Sequence, residues 1–176
     1  MNNRIKISKV RMMAYIGLLT ALYIVLSSPV CSIHTATIKI GFTFIPVAIA
    51  AILFGPLIAG GVGALGDVLS ALLFPVGAWI PGITLNAFLT GFVFGLFLYR
   101  KQTWLRALLA AVINNFGISM FLTTLWLSQV YGMAYWPLLV TRIPQCIIVC
   151  AVQFLGITAV IKVKAHVVLK RTVARG

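Results

Sequence analysis

Six apolar runs, separated by short polar or turn-forming stretches, divide the chain. A membrane-spanning helix needs about 20 mostly apolar residues, so 176 residues have room for six spans with short connections. The pattern predicts helices over roughly 12–28, 42–54, 57–74, 83–99, 104–129 and 137–163. Gly55-Pro56 marks the turn between the second and third runs. We therefore expect an all-α membrane protein, a single bundle of six transmembrane helices over residues 1–176.

Composition supports this prediction and excludes most enzyme classes. The chain is 62% hydrophobic and 9% charged, with a mean hydropathy of +1.12, whereas a soluble domain carries roughly a quarter charged residues. Its one acidic side chain is Asp67. Paired carboxylates, carboxylate-bound metals and acid-oriented triads need more than one acid. We expect a protein that is not an enzyme and has no cofactor or metal.

The net charge of +13 would suggest nucleic-acid binding in a polar protein, but the basic residues cluster at the ends of the apolar runs. If the helices cross the membrane alternately, twelve of the basic residues fall on one side. These are Arg4, Lys6, Lys9, Arg11, Arg100, Lys101, Arg106, Lys162, Lys164, Lys170, Arg171 and Arg175. The positive-inside rule makes that side cytoplasmic. The pattern predicts a plasma-membrane protein with both termini in the cytoplasm and no nucleic-acid partner.

Two basic residues, Lys39 and Arg142, remain on the outer side in this topology. An ionisable group at membrane depth is costly unless it is paired or faces a wet cavity, so we expect Arg142 to face the bundle interior. Arg142, Gln145 and Gln153 follow helical spacing and form a polar stripe on the sixth span. Asp67 lies at a similar depth on the third span. It either pairs with Arg142 or shares a ligand with it.

Polar residues on the fourth and fifth spans extend this candidate cavity. They are Thr84 and Asn86 on the fourth span and Asn115, Ser119, Thr123 and Trp126 on the fifth. Serine, threonine and asparagine also join helices in membranes without any ligand, and Trp126 also suits a membrane interface. The second, fourth and sixth spans begin at the outer face, where their helix dipoles favour an anionic ligand.

Two outer loops and one helix face add further candidates. The loop 29–40 contains His34 and Lys39, and the loop 75–82 holds Trp79 between two prolines, as a lid or as an interfacial aromatic residue. Small residues on the first span form a ridge of Ala14, Gly17 and Ala21. Such a ridge packs within the bundle or docks another helix.

These features resemble the folate-type substrate-binding (S) component of energy-coupling factor (ECF) transporters. The resemblance spans nearly the whole chain and is strongest between residues 40 and 99. It rests on GDVLSALLFPVGAWIPGITLNA (66–87), Phe44-Ile45-Pro46, Phe54-Gly55-Pro56, and Arg142 and Gln153. It implies a vitamin-binding subunit that docks on a transmembrane coupling (T) protein and two cytoplasmic ATPases, then topples in the bilayer. It also implies that the two outer loops act as a lid and that the ridge faces the coupling protein.

The resemblance therefore implies a protein that binds folate from the outside. We expect Arg142 and Lys39 to contact carboxylate or polar ring edges, and Asp67, Asn86 and Gln145 to hydrogen-bond the heterocycle. Other candidate ligand contacts are Trp79, His34, Gln153 and Trp126. Ser28 stands where the family leads us to expect a basic residue, which keeps another anionic vitamin such as pantothenate as an alternative. A stand-alone secondary transporter is a second alternative; a metal-dependent lipid transferase is disfavoured because it needs several acids.

Overall fold

The computed structural model describes residues 9–28, 33–34, 39–75, 80–99, 103–132 and 134–173. Its α-helices are α1 (Lys9–Ser27), α2 (Phe44–Phe54), α3 (Pro56–Leu73), α4 (Pro81–Leu98), α5 (Trp104–Val112), α6 (Thr124–Tyr131) and α7 (Tyr135–Val173). A π-helical segment, Ile113–Thr123, joins α5 to α6, and the three pieces form one continuous fifth span. Within the described residues, five helices have the length and composition to cross a membrane, and α2 is a shorter apolar helix. The predicted six-helix architecture is confirmed.

Helix boundaries follow the turn residues in the sequence. Gly55 has a φ of 91° and ends α2, and Pro56 occupies the first turn of α3, where its missing N–H costs nothing. Predicted and observed ends agree within three residues, except that α7 ends at Val173 rather than near residue 163. No glycine or proline follows Gly156 before that point, and lysine and arginine are good helix formers. The helix therefore continues past its apolar section.

Two local features differ from the prediction. In the first loop, Ile33–His34 pairs antiparallel with Lys39–Ile40, so the described part of the fold is not purely helical. A two-residue pairing is too short to produce a detectable alternation of polar and apolar residues. The fifth span, predicted as one regular helix, contains the π-helical segment Ile113–Thr123.

Glycines allow α3 and α4 to pack with their backbones almost in contact. A Cβ at Gly63 would lie 2.6 Å from the carbonyl oxygen of Ala87, and a Cβ at Gly91 would overlap the carbonyl of Ala59. A Cβ at Gly60 would lie 2.8 Å from the ring of Phe88. Gly60 and Gly63 on the third span therefore serve the close packing of the two helices.

The apolar core surrounds α2. Its buried members on α2 are Phe44 and several small or branched residues. They belong to one cluster with buried residues of α1, α3, α4, α5 and α7, including Val62, Phe94, Leu98 and Ile157. The buried polar side chains fall mainly on α3, α4, the π-helical segment and α7. They extend from the middle of the bundle toward the end where α4 and α7 begin, which we call the site end.

Candidate ligand site

Arg142 lies near the beginning of α7 and is only 6% exposed. The sequence predicted that this guanidinium faces the bundle interior, and its burial confirms that placement. Gln145 is half-buried one turn further along the helix, and Gln153 is buried about three turns from Arg142. The polar stripe on α7 therefore runs from the site end toward the middle of the bundle.

Asp67 is buried at 6% exposure on α3 and is held by the first turns of α4. The hydroxyl of Thr84 donates a hydrogen bond to Asp67 Oδ2 at 2.8 Å. The beginning of α4 also favours a nearby negative charge through its helix dipole. Asp67 thus has a protein partner that orients it at the site end. Its pairing with Arg142, or a shared ligand, stays a prediction.

Trp126 and Asn86 join the fifth span to α4. The amide of Asn86 hydrogen-bonds the hydroxyl of Thr123 at 3.0 Å in either orientation of the amide. The indole of Trp126 lies directly against Gly82, where a Cβ would overlap the ring. Trp126 Nε1 is buried and has no hydrogen-bond partner among the described residues. A buried donor without a partner is costly, so this N–H is suited to donate to a ligand.

A second polar cluster lies deeper in the bundle. The hydroxyl of Thr90 donates to Asn114 Oδ1 at 2.7 Å. The Nδ2 atoms of Asn114 and Asn115 both donate to Gln153 Oε1, at 3.2 and 2.8 Å. We call these four residues the amide cluster.

Asn115 and Gln153 are candidates predicted from the sequence, whereas Asn114 and Thr90 were not predicted. Neighbouring residues point about 100° apart in an α-helix, and the spacing of three or four residues along the fifth span selects Asn115 rather than Asn114. Two adjacent asparagines in an apolar span were the available sequence signal for this cluster. Their joint contact with Gln153 could not be predicted without knowledge of the π-helical segment.

Three predicted site residues have no described side chain. Trp79 lies outside the described residues, in the gap 76–79. His34 and Lys39 are register partners in the antiparallel pairing of the first loop, and their side chains are outside the described part. The structure therefore tests no contact of these three residues.

The small-residue ridge of α1 lies on the surface of the bundle. Ala14, Gly17 and Ala21 are all exposed, and a Cβ at Gly17 would meet no atom within 4 Å. The alternative that this ridge packs within the bundle is therefore wrong. The ridge is free to receive a bulky neighbour, in contrast with the closely packed glycines of α3.

The site end combines a guanidinium, a carboxylate, an indole N–H and side-chain amides in a largely buried setting. Such a set recognises a polar ligand by hydrogen bonds and charge. Within the described residues, no group of three His, Cys, Asp or Glu side chains is placed to hold a metal ion. The arrangement is typical of a binding site for a small molecule.

A family model described as ECF transporter, substrate-specific component, matches residues 11–161. The chain belongs to this family. The folate transporter FolT of Clostridium novyi (strain NT) is 43% identical over 136 residues, which cover 77% of this chain and 78% of that protein. FolT of Leuconostoc mesenteroides subsp. mesenteroides is 28% identical over 130 residues, covering 72% and 69%. The resemblance drawn from the sequence is confirmed.

The fold of this substrate-specific component is also that of a solved relative. A crystal structure described as FolT bound with folic acid has a TM-score of 0.79 and 37% sequence identity. The match covers 85% of this chain and 92% of the other. The helical bundle described above is therefore the architecture of a transporter subunit in this family.

Proposed function

We propose that this chain binds folate and delivers it to an ATP-driven ECF importer in a prokaryotic plasma membrane. The observation that carries the proposal is its similarity, at 37% identity, to a FolT structure that holds folic acid. The buried polar groups at the site end support it, because they suit a ligand with both a heterocycle and negative charge. Their roles follow from the chemistry of that ligand.

Folate combines a pterin ring, which presents donors and acceptors on one edge, with a glutamate tail that carries carboxylates. A carboxylate held by Thr84 is a good acceptor for the ring donors, so we assign Asp67 to the pterin. Asn86, Gln145 and the N–H of Trp126, which has no partner among the described residues, add hydrogen bonds to the heterocycle. Arg142 binds a carboxylate or a polar ring edge.

The two outer loops complete the site in this proposal. Lys39 adds positive charge near the tail, His34 lies beside it in the same paired loop, and Trp79 stacks on the ligand or closes over it. The helix beginnings of α4 and α7 add partial positive charge at the site end. A folate anion is therefore favoured from the outer side.

Delivery requires partner subunits. We place both termini in the cytoplasm because the basic residues then satisfy the positive-inside rule. The exposed ridge of Ala14, Gly17 and Ala21 docks on the transmembrane coupling protein. Two cytoplasmic ATPases supply the energy, and this single-domain chain catalyses no reaction itself.

Identification of the native ligand tests this function directly. The protein is purified in detergent from cells grown in rich medium, and the molecule released from it is identified by mass spectrometry. We expect folate in amounts close to one molecule per chain. Recovery of pantothenate instead would contradict the folate assignment. Uptake into vesicles that contain no ATPase would contradict the dependence on partner subunits and support a secondary transporter.

A further inference from the structure

The π-helical segment determines which residues of the fifth span face α4. Asn114 and Thr123 both hydrogen-bond α4, through Thr90 at 2.7 Å and Asn86 at 3.0 Å. Thr123 lies nine positions after Asn114, which is about two and a half turns of α-helix. In a regular α-helix they would lie on opposite faces. A π turn takes more residues than an α turn, and this difference brings both side chains to the same face.

The amide cluster gives this uncommon geometry a physical cause. Gln153 Oε1 on α7 accepts hydrogen bonds from two successive residues, Asn114 and Asn115. The two asparagines are only 4% and 1% exposed. Asn115 Nδ2 also donates to Ala111 O at 2.8 Å, so Gln153 receives the second hydrogen bond of that amide. A return to regular α geometry over the segment would change the directions of the asparagine side chains relative to Gln153, and weakening a buried hydrogen bond is costly. The hydrogen bonds to Gln153 therefore favour the π geometry.

The π-helical segment also sets the direction of the residues that follow it in the fifth span, up to the site end. Trp126 lies one turn beyond the end of the π-helical segment, so its direction depends on every turn before it. The close contact of its indole with Gly82 needs that direction. Thr123, which contacts Asn86, is the last residue of the segment.

The geometry points to Gln153 as a positioning residue. It fixes the π geometry of the fifth span through Asn114 and Asn115, and thereby directs Thr123 and Trp126 toward the ligand site. Gln153 acts from about three turns below Arg142 and through another helix, rather than by touching the ligand. The part of this inference that concerns affinity rests on the proposed binding of folate. The part that concerns Trp126 does not.

Two substitutions separate positioning from ligand contact. Gln153→Met keeps the approximate shape but removes the acceptor for both asparagines. Gln153→Glu keeps an acceptor oxygen and removes the amide N–H that a ligand contact would use. Thr158→Val is the matched control, because among the described residues this α7 hydroxyl hydrogen-bonds only its own helix, at Phe154 O, 2.8 Å away.

The first readout is the position of Trp126 without ligand. In a background with Trp79→Phe, Trp104→Phe and Trp136→Phe, the fluorescence of Trp126 and its quenching by acrylamide are measured. We expect Gln153→Met to shift the emission and increase quenching, and Gln153→Glu and Thr158→Val to resemble the parent. Asn115→Leu removes one donor and leaves the Asn114 contact, so it should give a smaller emission shift and a smaller increase in quenching. This variant replaces Gln153→Met in the test if Gln153→Met does not fold.

The second readout is folate affinity in the background with all native tryptophans. We expect about a tenfold loss for Gln153→Met, the size of one net hydrogen bond, and less than about a threefold loss for Gln153→Glu. Unchanged Trp126 fluorescence in Gln153→Met, or in Asn115→Leu where Gln153→Met does not fold, would overturn the inference. An equal loss of affinity in Gln153→Glu and Gln153→Met would also overturn it. If the parent does not bind folate, the proposed function fails, while the fluorescence comparison still decides the role of Gln153.

Discussion

Asp67 and Arg142 are the charged side chains that lie buried among the described residues. Removing a charge from water costs several kcal/mol as an order of magnitude unless partners replace the solvent. Thr84 provides one partner for Asp67, and both residues lie toward the site end. Binding of a polar ligand would explain why these two charges are kept in the bundle despite the cost of burying them.

Trp126 provides a test at the scale of one atom. Trp126→Phe keeps an aromatic ring against Gly82 and removes the buried N–H that lacks a partner among the described residues. We expect folate affinity to fall by roughly tenfold, the value of one hydrogen bond, with no loss of thermal stability in the ligand-free protein. Titration calorimetry and thermal unfolding measure the two quantities.

Trp104→Phe is the control for that substitution, because Trp104 is 63% exposed at the beginning of α5, far from the site end. It should leave affinity unchanged. Equal affinity of Trp126→Phe and the parent would show that the indole N–H donates nothing to folate.

At the scale of helices, the packing of α3 on α4 rests on particular glycines. Gly63→Ala would place a methyl group 2.6 Å from the backbone carbonyl oxygen of Ala87, which has little freedom to move. We expect the unfolding temperature in detergent to fall by several degrees, since overpacking costs about 1–3 kcal/mol.

Gly61 offers the matched control on the same helix. A Cβ there would meet no atom within 4 Å, so Gly61→Ala should be neutral or stabilising through the higher helix propensity of alanine. Equal unfolding temperatures for the two variants would contradict the close-packing account.

The exposed ridge of α1 should matter for uptake and not for binding. Gly17→Leu adds a bulky side chain where no neighbour of this chain stands within 4 Å, so folate affinity of the purified subunit should stay unchanged. In cells that contain the partner subunits, we expect folate uptake to fall at least tenfold because the added volume prevents helix docking.

Gly61→Leu, a bulky change at a half-buried position of α3 where a Cβ would meet no atom within 4 Å, is the control for uptake and should transport normally. Normal folate uptake by Gly17→Leu would contradict the proposed docking of the ridge on the coupling protein. Loss of folate binding in that variant would show that the ridge is needed for the folded structure of the subunit itself.

The elements that the sequence predicted well are those with strong local signals. Gly55-Pro56 fixed the end of α2 and the beginning of α3, and long apolar runs marked the spans. The π-helical segment had no such local signal, because the polar residues Asn115, Ser119, Thr123 and Trp126 follow one another at intervals of three or four, which is the spacing of a regular α-helix. Tertiary hydrogen bonds to Gln153 and Thr90, which are distant in sequence, determine the actual geometry.

For the whole molecule, hydropathy and charge distribution were sufficient to predict a six-helix membrane bundle, because lipid permits few other architectures. The candidate site was predicted in part. The cost of burying charge placed Arg142 inside correctly, and Asp67, Asn86 and Gln153 are also buried. The partners of these residues, such as Thr84 and Asn114, depend on how the helices rotate against one another, which helical spacing within one span does not determine.

In the proposed function, the buried guanidinium of Arg142 binds folate at the site end. The most direct measurement is calorimetric titration of folate into the purified, ligand-free parent and Arg142→Ala, with thermal unfolding to show that both are folded. We predict tight one-to-one binding by the parent and at least about a hundredfold weaker binding by the variant, since loss of a charge-assisted contact costs about 3 kcal/mol. Equal affinity in a folded Arg142→Ala protein would contradict the account.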